Sequence, residues 1–285
     1  MQRREFFVAA AVGLAAGGSS IEGAVTRTPA PPFHLGAVTY NTLKDFDVDG
    51  IIRILQGAGF EGVELRTTHK HGVEPSMGAA ERTQVRLKFE ASKIRLVSFG
   101  TTCRFQSPDP AERNRQLEIA TSFVDLAHDT GAIGIKIQPM GFPEGVPIQT
   151  TIQNFGASLH KLGEYGAAKD VEIWVEVHGR GTSDPHNAAA IIRAADHKNV
   201  GVCWNSNDTD LVNGSVKPSF DLLQPWIRSV HINELADERY PWRELFSLLR
   251  AARYDRYTFA EVAESKEPER FLRWYRALWT ELNRP

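Results

Sequence analysis

Three features predict a single-domain α/β fold, a closed (β/α)8 barrel. Short apolar strands alternate with longer amphipathic stretches eight times along the chain. The last helical stretch has no strand after it, as barrel closure requires. The turn after the first strand, Tyr40-Asn41-Thr42, is not the glycine-rich phosphate loop expected of an open doubly wound sheet.

The predicted strands are residues 34–40, 62–66, 95–101, 133–139, 171–178, 200–205, 229–233 and 257–263. Helices are predicted over 47–56, 80–92, 110–128, 148–169, 184–195, 241–252 and 267–282, with a weaker, short one at 220–225. Side chains alternate sides along a strand, so each strand can be phased. In the second strand Val63 and Leu65 oppose Glu64 and Arg66. In the fourth, Ile133, Ile135 and Ile137 oppose Lys136 and Gln138. The fifth sets Val171, Ile173, Val175 and Val177 against Glu172, Trp174, Glu176 and His178. The seventh sets Val230 and Ile232 against His231 and Asn233, and the eighth places Glu261 with Tyr257 and Phe259. The apolar sides face the helices, which turns the polar sides toward the barrel axis. Glu64 or Glu172 alone reads as part of a structural network. The full set costs several kcal/mol per unpaired group to bury, and most of it lies near the carboxyl ends of strands, where barrel enzymes build their sites.

Length and composition agree with one large domain. The chain has 285 residues, 42% hydrophobic and 24% charged, with a formal net charge of -2. It carries no basic stripe, so no nucleic-acid or acidic-membrane partner is expected. Residues 1–32 read as a leader and linker, and 33–285 as the barrel. Arg3 and Arg4 precede a short apolar run that ends in Gly17-Gly18-Ser19-Ser20, the layout of a twin-arginine export signal. The run is shorter than the ~20 residues of a spanning helix. A periplasmic location follows, with no membrane segment in the mature form. Two cysteines, Cys103 and Cys203, are placed in strands as buried thiols, too few for a disulfide framework.

Glu176, His231 and Glu261 come from different strands and converge. Two carboxylates and an imidazole are good ligands for Mn²⁺, Mg²⁺, Co²⁺ or Zn²⁺. A divalent ion beside two carboxylates also suits proton transfer next to a carbonyl.

These residues resemble the xylose isomerase-like TIM-barrel superfamily, the sugar phosphate isomerase/epimerase group that includes ketose 3-epimerases and endonuclease IV. The markers are Val175-Glu176-Val177-His178-Gly179, Val200-Gly201-Val202-Cys203-Trp204-Asn205, Ser229-Val230-His231-Ile232-Asn233-Glu234 and Phe259-Ala260-Glu261. The resemblance implies that Glu176, His231 and Glu261 ligate a metal and that the two glutamates exchange the substrate proton. The family's sixth-strand Asp, with a His three residues later, is replaced here by Asn205 and Asp208. Asn205 can still ligate through its carbonyl oxygen, as a neutral and weaker donor. His178 is a hydrogen-bonding residue of the site.

Arg66, His69 and His71 follow the second strand, and Lys136 projects from the fourth. With His178, Asp208 and Asn233 they are the candidate substrate-binding residues. Tyr40, Phe142 and Trp204 offer stacking surfaces for a sugar, although Trp204 is out of phase with Asn205. The expected activity is a metal-dependent sugar isomerase or epimerase working through an enediolate on a neutral or oxidised sugar. The alternatives are a lyase or hydratase acting on 3-keto glycosides, a non-catalytic sugar-binding barrel and, third, an endonuclease IV-like nuclease, which would want a basic groove and a histidine-rich multi-metal site. Homo-oligomerisation is left open.

Overall fold

The computed structural model describes residues 32–284. The predicted export leader lies outside them. Eight parallel strands close on themselves in sequence order. They are β1 (His34–Val38), β2 (Gly62–Arg66), β3 (Arg95–Gly100), β4 (Gly134–Ile137), β5 (Glu172–Glu176), β6 (Val200–Asn205), β7 (Ile227–Ile232) and β8 (Tyr257–Ala260). The connecting helices are α1 (Val48–Ala58), α2 (Ala79–Glu90), α3 (Pro110–Thr130), α4 (Ile148–Ala167), α5 (Pro185–Ala195), α6 (Lys217–Leu223), α7 (Trp242–Ala251) and α8 (Pro268–Leu282). No helix among the described residues is long and apolar enough to cross a membrane.

Local signals set the helix ends. Asp47 caps α1 by accepting from Gly50 N at 2.8 Å, and Gly59 ends it with φ 75. Asp184 and Pro185 open α5 in the same way, with the carboxylate accepting from His186 N. The predicted short helix near 220 is α6, followed by a 3-10 turn, Gln224–Trp226.

Two apolar layers hold the barrel. The larger lies between strands and helices and includes Val63, Leu65, Ile135, Ile137, Ile173, Val175, Val202, Val230 and Ile232. The smaller fills the barrel's interior with Val38, Val97, Trp174, Cys203 and Phe259. The inward side is therefore not polar throughout. Trp174 and Phe259 form a floor, and polar groups begin above it. Below it, at the amino-terminal mouth, Glu172 pairs with Arg256 at 2.6 Å and is no part of the upper site.

Several strands end sooner than the sequence pattern predicts. β1 stops at Val38, β5 at Glu176 and β8 at Ala260, because the chain leaves the ladder as it reaches the upper rim. Glu261 is one residue past β8, yet its N–H still donates to Ile232 O at 3.0 Å, which keeps it in register. Both cysteines are buried free thiols. Cys103, however, belongs to the segment after β3 and not to a strand, its N–H donating to Thr101 Oγ1 at 3.2 Å.

Close backbone approaches fix two further positions. A Cβ on Gly156 of α4 would lie 2.5 Å from Ala194 Cβ, so only glycine lets α4 and α5 pack this tightly. A Cβ on Gly100 would lie 2.7 Å from Glu64 Oε1, inside the barrel.

Candidate active site

Above the floor, six strands contribute polar groups to one layer. Glu64 comes from β2 and Lys136 from β4. Glu176 comes from β5, Asn205 from β6 and His231 from β7, while Glu261 follows β8. Sheet register explains their grouping. Lys136 pairs with Trp174, Asn205 with His231, and His231 with Phe259, so each points inward beside its neighbour. The β2–β3 register shifts between Val63 and Glu64, which leaves Glu64 opposite Ser98. Ser98 Oγ then donates to Glu64 Oε2 at 3.0 Å.

Lys136 Nζ donates to Glu176 Oε1 at 2.9 Å and lies 3.4 Å from Glu64 Oε1. His231 Nε2 faces Glu64 Oε1 at 3.4 Å. Its Nδ1 faces Glu261 Oε2 at 3.1 Å and Glu176 Oε1 at 3.5 Å. Glu64, Glu176, Lys136 and His231 are essentially without solvent contact, and Glu261 is one-fifth exposed. Burial pushes the Glu64 carboxyl up, but the charges of Lys136 and His231 outweigh it and hold it at about 2. Burial likewise raises Glu176, and Lys136 with His231 brings it down below its usual range. Glu261 is lowered too, burial again being outweighed, here mainly by His231. The layer therefore presents three carboxylates in ionised form.

The donor set suits a divalent cation. One ligand atom each from Glu176, His231 and Glu261 all lie within 4.8 Å of one another. Glu176 Oε2 and Asn205 Oδ1 are buried without a hydrogen-bond partner, as expected of atoms reserved for a cation. Glu64 Oε1 and His231 Nε2, 3.4 Å apart at the other ring nitrogen, are likewise buried without a hydrogen-bond partner. With the His231 ring neutral, as coordination requires, Lys136 and a divalent cation together offset the three glutamates.

The layer opens into a cavity of about 500 Å³, lined by Val38, Tyr40, Arg66, Arg104, Lys136, Gln138, Met140, Glu176, His178, Asn205, Asn207, Asn233 and Glu261. This size is ordinary for a small-molecule site. A slightly larger depression of about 550 Å³ lies at the opposite mouth, but its charged residues Glu61, Arg86, Glu90, Lys93 and Arg95 are exposed and do not converge.

Of the residues singled out in the sequence, Arg66, Lys136, His178 and Asn233 line the cavity with Glu176, Asn205 and Glu261. His231 sits beneath it. Asn233 is oriented by donating from Nδ2 to Ser206 O at 2.8 Å. Three of the candidates, His69, His71 and Asp208, do not line the cavity. His71 Nδ1 accepts from Val73 N at 3.0 Å and its Nε2 donates to Arg66 O at 2.9 Å, so both ring nitrogens are spent on the loop's own backbone. The His-x-His pair is thus not a chelate. Asp208 is exposed on a 3-10 turn, Asp208–Asp210, and does not line the cavity; the buried acid of that turn is Asp210. His69 stands behind Tyr40, stacked on it at 6.4 Å, and hydrogen-bonds Thr39 Oγ1. Burial, with help from His71 and Arg66, lowers its pKa to about 4 and keeps it neutral. Among the three aromatic candidates only Tyr40 lines the cavity. Trp204 packs outward and donates to Tyr240 Oη at 3.1 Å, and Phe142 packs against the core.

Arg104, Gln138, Met140 and Asn207 also line the cavity, and Glu64 belongs to the charged layer beneath it. Strand phase points to Glu64 and Gln138. The other three lie on irregular segments, where no period marks a direction.

The family model for the xylose isomerase-like TIM barrel matches residues 52–278. The chain belongs to the xylose isomerase-like TIM barrel family. No curated protein matches its sequence. Among solved structures it is similar to D-psicose 3-epimerase from Clostridium cellulolyticum H10 in complex with D-tagatose. The TM-score is 0.76 at 13% identity, over 88% of this chain and 100% of that one. It is similar also to 3-keto-D-glucoside 4-epimerase from E. coli, with a TM-score of 0.73 at 14% identity over 87% and 98% of the two chains. The IOLI protein with a bound zinc atom gives a TM-score of 0.73 at 14% identity over 88% and 98%. At these identities the likeness is one of fold, and this family member's own residues must carry the rest.

Proposed function

We propose that this family member is a sugar isomerase or epimerase that moves a proton on and off a carbon next to a carbonyl. The observation that carries the reading is the placement of Glu176 and Glu261. They come from β5 and from the end of β8, both touch His231, and both line a cavity with a buried charged layer beneath it. Sugar epimerases among the similar structures support the same class.

Glu176, His231 and Glu261, with Asn205 Oδ1 as a fourth donor, would hold a divalent cation. Such a cation polarises a carbonyl oxygen and makes the neighbouring C–H more acidic. One glutamate removes that proton. The C–H electron pair becomes the new C=C bond, and the carbonyl π pair moves onto oxygen, giving an enediolate. The other glutamate, having taken up a proton from water in the open cavity, gives it to the opposite face, which inverts the carbon, and the first releases its proton to water to restore the starting state. Lys136 keeps Glu176 ionised and in place. Asn233, Asn207, Gln138 and His178 supply hydrogen bonds for sugar hydroxyls, and Tyr40 offers a ring face at the mouth.

The test is product analysis with D-fructose, D-tagatose and a 3-keto glucoside in the presence of Mn²⁺ or Co²⁺. Conversion of a sugar into its epimer, absent in Glu261→Gln, is the expected result. Release of the glycosidic group in place of epimer would mark an elimination. Sugar binding without turnover would make the barrel a binding protein. The Arg3-Arg4 leader supports export, and recovery of the protein from the periplasmic fraction, lost in an Arg3→Lys, Arg4→Lys double variant, tests that point.

A further inference from the structure

We propose that Arg66 and Arg104 form an anion clamp on the rim of the cavity and that the substrate is an acidic sugar bearing a carboxylate. The inference rests on the epimerase reading for the chemistry, but not for the clamp itself.

The two arginines hang from neighbouring strands. Arg66 ends β2 and pairs with Gly100, the last residue of β3, and Arg104 follows a short way beyond. Both line the same cavity. The segment carrying Arg104 is tied down. Cys103 O accepts from Gln138 N at 3.1 Å, and Arg104 N donates to Gln116 Oε1 at 3.1 Å. The backbone is anchored while the guanidinium makes no hydrogen bond among the described residues. Arg66 uses one N–H on Thr67 O at 3.0 Å and lies over the Tyr40 ring at 5.7 Å, which leaves most of its donors unspent. No carboxylate oxygen of the described residues lies within 4.0 Å of either guanidinium. Some other arginines find a carboxylate, as in Arg82–Asp129 and Arg256–Glu172, and others, Arg95, Arg113 and Arg250, spend their donors on backbone carbonyls.

Charge around the cavity separates into two zones. The buried layer holds the carboxylates with Lys136. Outside it the lining residues are Val38, Tyr40, Gln138, Met140, His178, Asn207 and Asn233, with the two arginines and no acid. A neutral sugar gives two unpaired guanidiniums nothing to answer. A carboxylate at the far end of the sugar takes both forks, and its attraction to them offsets repulsion from Glu176 and Glu261. A phosphate fits less well, because phosphate sites draw on free backbone N–H groups. Here the Thr67 amide donates to Gly100 O at 3.0 Å, and the Thr68 amide donates to Glu74. No helix begins at this rim, since α2 starts only at Ala79.

The experiment is isothermal titration of the purified protein with D-glucuronate, D-galacturonate, D-glucose and D-glucose 6-phosphate. It is repeated with Arg66→Gln, Arg104→Gln and the double variant, with melting temperature recorded for each. Expected is a uronate affinity about tenfold or more above that for D-glucose, weakening as salt rises. The double variant should lose that margin while keeping its melting temperature and its affinity for D-glucose. Equal affinity for uronate and D-glucose, an unchanged margin in the double variant, or no uronate binding would overturn the proposal. Tighter binding of the phosphate than of either uronate would overturn the carboxylate assignment. Arginine-dependent uronate binding with no proton exchange in any sugar would leave the clamp standing and sink the epimerase reading. Exchange on neutral sugars with no acidic preference would do the reverse.

Discussion

Lys136 Nζ lies 2.9 Å from Glu176 Oε1, with both side chains buried at the upper end of the barrel interior. Two adjacent strands, β4 and β5, place them there, two positions apart in register and so on the same inward face. This contact keeps a buried glutamate ionised where burial alone would protonate it, and so makes Glu176 usable as a base and as a ligand.

Removing the ammonium leaves two carboxylates without their cation. Lys136→Met should therefore cost about 3–5 kcal/mol of stability, the usual penalty for breaking a buried pair by removing one partner. Adding Glu64→Gln should recover part of it, because one of the stranded charges is then gone. Urea denaturation of the two variants and the wild type reads both effects. Equal stability of Lys136→Met and wild type would contradict this arrangement.

Asp210 gives a pH dependence of known sign. Its carboxyl is buried and accepts from Tyr240 Oη at 2.7 Å and from Asn207 N at 2.9 Å. Burial is the main cause that raises its pKa from 3.8 to about 7. The folded state then binds the proton more tightly than the unfolded chain, so stability falls as pH rises from about 4 to about 7. The full effect is roughly 4 kcal/mol. Asp210→Asn keeps the acceptor oxygen and removes the ionisation. It should be more stable than wild type at pH 8 by more than at pH 5, as measured by denaturation at the two values. A margin that is the same at both would exclude the raised pKa.

Gly156 tests the packing of the outer layer. With a Cβ held 2.5 Å from Ala194 Cβ, Gly156→Val must push α4 away from α5. A loss of about 1–3 kcal/mol or more is expected in thermal or chemical melts. Gly145→Ala, with nothing near its Cβ position but φ 74, isolates the backbone cost alone and should lose less.

The barrel was legible because its strands obey a two-residue period and its helices a longer one, and both periods survive in a single sequence. The same period brings out Glu176, His231, Glu261 and Lys136, whose apolar neighbours point the other way. It falters in two places. The floor of Trp174 and Phe259 shares the inward side with the polar groups, so phase alone does not say where along the axis the site begins. Loops carry no period at all. Arg104 and Asn207 were therefore invisible. His71 and Asp208 were misjudged because residue type stood in for direction: the first spends its ring on backbone, and the second points to solvent two residues before the acid that is buried.

Exchange at the reacting carbon depends on both glutamates, and their effects are not expected to add. Glu176→Gln and Glu261→Gln should each lower turnover by about 10²–10⁴-fold, and the double variant should lose little more. Steady-state rates on whichever sugar turns over decide this. A double variant whose losses multiply would mean that the two side chains contribute independently to one rate-limiting step and would contradict a sequential removal and return of the proton.

The central claim is that this site exchanges a proton next to a sugar carbonyl. The most direct measurement is nuclear magnetic resonance of D-fructose, a keto-uronate and a 3-keto glucoside incubated with the Mn²⁺-loaded protein in D₂O, with Glu261→Gln as the control. Deuterium is expected to enter at a carbon adjacent to the carbonyl in at least one of them, at a rate lowered about 10²–10⁴-fold in the variant. Cation binding with no deuterium in any of these sugars would contradict it.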